Sequence, residues 1–308
     1  MSGMYRNRLK GGRAQKHTRI RGGIQLMSAV FWNGYGAGFA GGKIFTGKTK
    51  ALCVPVLNCY SCPGALGACP IGALQTVLGG IGGKFPFYVL GLLMLFGVLL
   101  GRLVCGFLCP FGFVQDLLYR LPVKKLSVPK KLDIPLRRLK YGILLVFVIL
   151  LPLFGADAMG VIPPYFCKYI CPAGTLEGAL PLMLTNQALR VLAGALFRWK
   201  LLVMLLVLLV SSSVSRFFCR YLCPLGAFYS LFHKFGLYQM EFVKEKCIGC
   251  EKCEQVCPMA ISVREDPNSL ECIRCGKCKA VCPTYAIDAG FAKPKGEENA
   301  SDKAISPE

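Results

Sequence analysis

Residues 247–258 read Cys247-Ile248-Gly249-Cys250-Glu251-Lys252-Cys253-Glu254-Gln255-Val256-Cys257-Pro258, and the spacing returns 25 residues on as Cys272-x2-Cys275-x2-Cys278-x3-Cys282-Pro283. In such a run three closely spaced thiolates wrap one iron–sulfur cubane, while the fourth, before proline, reaches the other cluster. The spacing therefore predicts one [4Fe–4S] cluster on Cys247, Cys250, Cys253 and Cys282. A second is expected on Cys272, Cys275, Cys278 and Cys257. Zinc would need four ligands gathered in isolated knuckles, which this interleaved pattern does not offer. Residues 241–290 are thus expected to form a small α+β module of the bacterial 2[4Fe–4S] ferredoxin type. The stretch 291–308 reads as a disordered tail.

Upstream of this module the composition changes. The 308 residues are 54% hydrophobic and only 17% charged, with a net charge of +21. Residues 1–240 carry 27 Lys/Arg against four acids, Asp116, Asp133, Asp157 and Glu177, whereas residues 241–308 carry 10 against 12. A nucleic-acid binder would not interrupt its basic residues with bare apolar runs, so no nucleic-acid partner is expected. Eighteen cysteines in so long and apolar a chain argue against a small secreted disulfide scaffold. With two distant histidines, His17 and His233, and no C-x-x-C-H, no haem is expected. No nucleotide fingerprint occurs either.

The apolar runs near 24–42, 85–104, 139–156 and 195–215 are expected to cross a membrane. The first is rich in glycine and suits close packing inside a bundle, and residues 176–194 suit an interfacial helix. Residues 1–23 read as a basic, disordered tail that signals topology. The tail and the 105–140 loop together hold fifteen basic residues, against eight in the loops 43–84 and 157–200. That bias predicts a multi-pass protein of the cytoplasmic membrane with both chain ends in the cytoplasm.

Each predicted span is followed by C-P-x-G: Cys69-Pro70-Ile71-Gly72, Cys109-Pro110-Phe111-Gly112, Cys171-Pro172-Ala173-Gly174 and Cys223-Pro224-Leu225-Gly226. Arg102-Leu-Val-Cys105-Gly-Phe-Leu-Cys109 also parallels Arg216-Phe-Phe-Cys219-Arg-Tyr-Leu-Cys223. The 24–240 region therefore reads as two tandem helix–motif halves in an α-helical membrane bundle. Proline suits the first turn of the helix after each motif, and a helix N-terminus favours an anionic centre. Motifs two and four lie two crossings apart and share a face, so Cys105, Cys109, Cys219 and Cys223 are expected to form one four-thiolate site. By the same parity the opposite face holds Cys53, Cys59, Cys62, Cys69, Cys167 and Cys171. Ala65 stands where motif one should have its first cysteine, and spacing leaves open which four of the six bind a cluster. One or two further [4Fe–4S] clusters are expected in this region, with copper(I), buried thiols or a disulfide as the competing readings.

Arg102, Arg216, Arg220 and Lys168 flank these thiols, as thiolate-stabilising charges or as interfacial snorkels. Asp116 reads as facing water at the inner surface, Asp157 and Glu177 as interfacial carboxylates, and His233 as an interfacial histidine. None of them identifies itself as catalytic.

Taken together, the predicted helices, Cys105-x3-Cys109-Pro110, Cys219-x3-Cys223-Pro224 and the two C-terminal cluster motifs resemble the NapH/MauN-type family of ferredoxin-like membrane proteins over about residues 80–285. The Cys53–Cys69 group and the Cys167/Cys171 pair depart from that pattern. The resemblance implies a membrane-bound electron-transfer subunit working between a cytoplasmic donor or acceptor and quinone or an exported redox partner, within a larger redox complex. Two other functions fit the same motifs. One is a maturation or regulatory factor that reduces copper or thiols during assembly of a respiratory metalloenzyme. The other is a quinol dehydrogenase in its own right. Because residues 85–104 would span about 30 Å as one helix, the two membrane-face sites are expected to lie far apart unless the motifs dip into the bundle.

Overall fold

The computed structural model describes residues 12–80, 86–155, 162–191 and 193–291. Asp157, the first eleven residues of the basic tail and the stretch 292–308 lie outside them. The architecture is mostly helical, closed by one antiparallel strand pair, β1 (Tyr238–Phe242) and β2 (Ile287–Phe291), with Met240 opposite Ala289. The strands clamp the two ends of the cysteine-rich C-terminal module together. Between them run the short helices Lys252–Gln255 and Lys277–Val281, each entered through a left-handed residue, Glu251 and Gly276.

The tail does not behave as its composition implies. Residues 12–23 are not disordered: they begin a continuous helix, Gly12–Trp32. This helix lies against Lys277–Val281 on one side and against Pro110–Leu118 on the other. Two of its basic residues find partners there. Arg21 pairs with Asp116, and the Arg13 guanidinium donates to the carbonyl of Ala280 at 3.1 Å and to that of Cys282. Tertiary contacts thus override a local composition that reads as unfolded.

Boundaries of the apolar runs shift as well. The 24–42 segment is broken at Asn33–Tyr35 and resumes only as the short helix Gly36–Gly41. The 85–104 run is a 13-residue helix, Phe87–Leu99, followed by a turn at Gly101, whose φ of +56° suits glycine. Lys130–Ile143 continues without interruption through a wide π-helical stretch, Leu144–Leu150, into Leu151–Phe154. Residues 176–194 carry helical segments, Leu180–Thr185 and Gln187–Val191, separated at Asn186. Among the described residues one helix, Ala195–Ser213, is long and apolar enough to cross a membrane, and Phe87–Leu99 is apolar but shorter.

Four short helices begin straight after the motif cysteines. Cys69, Cys109 and Cys223 occupy the N-cap, with proline at the first helical position, and helix also starts at Pro172 after Cys171. There proline has no amide to waste and its φ is already helical. The core runs through all four motifs, gathering Ile71, Phe111, Phe166, Phe218 and Leu225 with motif cysteines and with Ile273 and Cys275 of the C-terminal module. The two halves of the chain share one apolar interior.

Candidate iron–sulfur sites

All eighteen cysteines are free thiols. Sixteen of them line four separate cavities. Cys247, Cys250, Cys253 and Cys282 surround one, and Cys257, Cys272, Cys275 and Cys278 surround another. Cys105, Cys109, Cys219 and Cys223 line a third, walled by Pro55, Val56 and Leu57. The fourth holds Cys59, Cys69, Cys167 and Cys171. Cys53 and Cys62 stay outside it: Cys62 Sγ lies 3.3 Å from Asn33 Oδ1, and the strand-like contact of Cys53 with Ala68 buries it beside Cys69. Cys59 fills the place left by Ala65.

The four cavities follow one another. Gly106 lets the C-terminal module approach, since a Cβ there would stand 2.5 Å from the Ile273 carbonyl and 3.6 Å from Cys275. At the other end, Leu57 lines both the Cys105 cavity and the Cys59 cavity. Tyr229, fully buried, donates to the Pro55 carbonyl at 2.9 Å and sits within electrostatic reach of Cys69 as well as Cys105, Cys109 and Cys223. The two C-P-x-G sites are therefore neighbours, with Leu57 as their common wall.

Buried ion pairs hold this arrangement. Asp116, expected at the water surface, is 9% exposed and takes a bidentate pair from Arg216, at 2.6 and 3.0 Å, besides Arg21. Arg102, wholly buried, reaches Glu271 at 3.1 Å and the Leu270 carbonyl at 2.8 Å, and Lys140 joins the same carboxylate at 2.5 Å. Arg220 meets Asp133 at 2.5 Å, beside Tyr221 and Arg137. These arginines do not snorkel; carboxylates tens of residues away neutralise them. His233 is buried rather than interfacial, with Arg274 donating to its carbonyl at 2.8 Å. Glu177, expected at an interface, accepts from the Cys59 amide at 2.9 Å.

Two residues that carry no obvious motif complete the sites. Gln115, six positions after Cys109, donates from Nε2 to Cys219 Sγ at 3.1 Å and accepts from the Phe218 amide at 3.1 Å. Gln75, six positions after Cys69, does the same toward Cys167 Sγ at 3.5 Å and the Phe166 amide at 2.9 Å. The shared offset, C-P-x-G-x-x-Q, is the signal in the sequence that could have marked them.

The donor sets suit cubanes. Each cavity offers four sulfurs, and among the described residues no three Cys, His, Asp or Glu side chains converge tightly enough for a single ion. Burial pushes the Cys272 thiol up to about 12, against a hydrogen bond from the Arg274 amide and with added repulsion from Cys275 and Cys257. Thiolates there need a cationic core to persist at neutral pH, and iron supplies one.

The chain matches the 4Fe-4S binding domain at residues 67–88, 85–129, 142–180 and 199–239, and the 4Fe-4S dicluster domain at 239–283. The four repeats of the first fall on the four C-P-x-G motifs. The chain belongs to the NapH/MauN-type 4Fe–4S ferredoxin family. The methylamine utilization ferredoxin-type protein MauN of Paracoccus denitrificans is 32% identical over 194 residues, covering 61% of this chain and 60% of that protein. An uncharacterised protein of Methanocaldococcus jannaschii is 34% identical over 175 residues, covering 54% of this chain and 63% of its own length. The ferredoxin-type protein NapH of Haemophilus influenzae is 28% identical over 174 residues, with coverage of 56% and 53%. The matches to these three relatives span between 53% and 63% of the relatives' lengths. No solved structure matches the chain.

Proposed function

We propose that this family member is a membrane-bound electron-transfer subunit with four [4Fe–4S] sites in series. The observation that carries the reading is the succession of four four-thiol cavities, each adjoining the next. Cys247, Cys250, Cys253 and Cys282 would hold the first cluster and Cys257, Cys272, Cys275 and Cys278 the second. Cys105, Cys109, Cys219 and Cys223 would hold the third, and Cys59, Cys69, Cys167 and Cys171 the fourth. One-electron exchange is the chemistry such a cluster supplies when bound. The chain's own residues orient the sulfurs, exclude water and balance charge. Cys250 is exposed and suits contact with a cytoplasmic partner. The Cys59 cavity is the widest, about 420 Å³, and carries Lys168 and Lys200. That end suits exchange with quinone or an exported redox partner.

A membrane setting is supported by the outward faces of three helical stretches. Phe87, Met94 and Leu95, then Leu145, Leu153 and Phe154, then Leu202, Leu205 and Leu209 all stand exposed. So much exposed apolar surface would be costly in water. The apolar stretch 141–154, continuous through its π-helical turns, supports a further membrane-inserted element. The contact of helix Gly12–Trp32 with the C-terminal module supports a common side for both, and the basic-residue bias favours the cytoplasm.

Anaerobic purification with iron and sulfide analysis and EPR tests the reading. Four cubanes require about 16 iron atoms per chain, and a value of about eight would confine clusters to the C-terminal module.

A further inference from the structure

We propose that Gln75 and Gln115 are ligand-positioning residues that orient a cysteine of the facing motif and raise the reduction potential of the cluster held there. The inference rests on the assignment of two clusters to the C-P-x-G thiols. Each glutamine is buried, 1% and 0% exposed, so no water substitutes for its amide.

Orientation of each amide is fixed by its neighbours. Gln115 Oε1 takes the Phe218 N–H, and Nε2 also faces the Phe111 carbonyl at 3.5 Å. Gln75 repeats this, with Nε2 at 3.1 Å from the Ile71 carbonyl. Turning either amide over would set donor against donor at the phenylalanine and oxygen against oxygen one turn back. The NH2 group therefore has to face the sulfur. A glutamine serving only to cap the phenylalanine amide would not need its nitrogen at the same thiol in both halves.

The pattern is also specific in direction. Gln75 sits in motif one and serves Cys167 of motif three; Gln115 sits in motif two and serves Cys219 of motif four. Each stitches together the two motifs that form one site. An N–H donated to a ligating sulfur favours the reduced, more anionic cluster, because it spreads the added charge. Removing it should move that cluster's potential to more negative values. The contact is shorter at Cys219, so the larger shift is expected for Gln115.

The test uses the full-length chain purified anaerobically in detergent, with EPR-monitored redox titration of the parent, Gln75→Met and Gln115→Met. Methionine keeps the side-chain length and removes the donor. The expected result is parental iron content, with one cluster shifted to more negative potential in each variant and a different cluster shifted in the two. A parent with about 16 iron atoms whose variants titrate unchanged, or shift only the C-terminal module's clusters, overturns the proposal while leaving the four-site reading intact. A parent with about eight iron atoms overturns the four-site reading itself. Where a methionine variant loses iron at its site, pulsed EPR of the parent grown with 15N-labelled glutamine decides. Coupling of a side-chain amide nitrogen to that cluster supports the role, and its absence overturns it.

Discussion

Arg102 donates to the carbonyl of Cys219 at 3.3 Å, and Arg216, at the equivalent position of the other motif, donates to the carbonyl of Cys105 at 2.7 Å. The glycines of the two C-P-x-G motifs make room for this exchange. A Cβ on Gly226 would stand 3.3 Å from the Arg102 guanidinium, and one on Gly112 would stand 3.4 Å from that of Arg216. Two sequence repeats thus fold into two halves that clamp each other. The Cys59–Cys171 site has no such arginines, since Pro164 occupies the corresponding position of motif three and motif one has lost its first cysteine.

Arg216 holds a left-handed φ of +51°, a conformation that costs a non-glycine residue roughly 1–2 kcal/mol. Its bidentate pair with Asp116 offsets that cost. Arg216→Met should leave Asp116 buried with Arg21 as its one remaining arginine partner, at a cost near the lower end of about 3–5 kcal/mol for breaking a buried pair. A lowered midpoint of thermal unfolding in detergent and loss of about four iron atoms are the expected readings. An unchanged midpoint would show that the clamp contributes nothing.

The six cysteines beyond motifs two and four should separate into two classes. Cys59→Ser, Cys69→Ser, Cys167→Ser and Cys171→Ser should each lose about four iron atoms, because one missing thiolate opens the cubane. Cys53→Ser and Cys62→Ser should keep the parental iron content. Iron loss in either of the last two would reassign the site.

Gly106→Ala should separate the C-terminal module from the Cys105 site without emptying either. The added methyl would meet the backbone of Ile273, which has no flexible end to move aside. Iron content should hold while magnetic coupling between the reduced clusters weakens in the EPR spectrum. Unaltered coupling would mean that the module does not approach through this glycine.

Much of this arrangement is legible in the sequence for a simple reason. Cysteine spacing and the alternation of apolar runs with motifs are local or countable properties, so Cys105 and Cys109 could be paired with Cys219 and Cys223 from the sequence alone. The choice of Cys59 over Cys53 and Cys62 is set by how residues 53–62 fold back on motif three, which spacing does not encode. Asp116 reads as a surface acid because its partners, Arg21 and Arg216, lie 95 and 100 residues away. Gln75 and Gln115 read as ordinary polar residues on a short helix until the facing sulfur is in place. The early end of one helix is hidden too: the apolar run continues to residue 104, whereas the helix stops at Leu99, just before the left-handed Gly101.

The N-terminal helix gives the last prediction. Its composition reads as a solvated tail, yet Arg13 donates to the carbonyls of Ala280 and Cys282 and to that of Lys279 at 3.2 Å, and stacks 4.2 Å from the centre of the Tyr285 ring. Partly exposed hydrogen bonds contribute at the low end of the range, about 0.5 kcal/mol each, and an exposed cation–π contact adds about 0.5 kcal/mol, so Arg13→Ala should weaken closure of the 279–285 segment by roughly 2 kcal/mol. Amides there should then exchange with deuterium up to about 30-fold faster, while those near Cys247–Cys253 keep their rates. Arg13→Lys should fall between, since lysine keeps the charge but not the planar fork that spans several carbonyls. Exchange that rises equally across the whole module would mean that the helix stabilises the fold at large, and exchange that does not change would mean that Arg13 does not strap it.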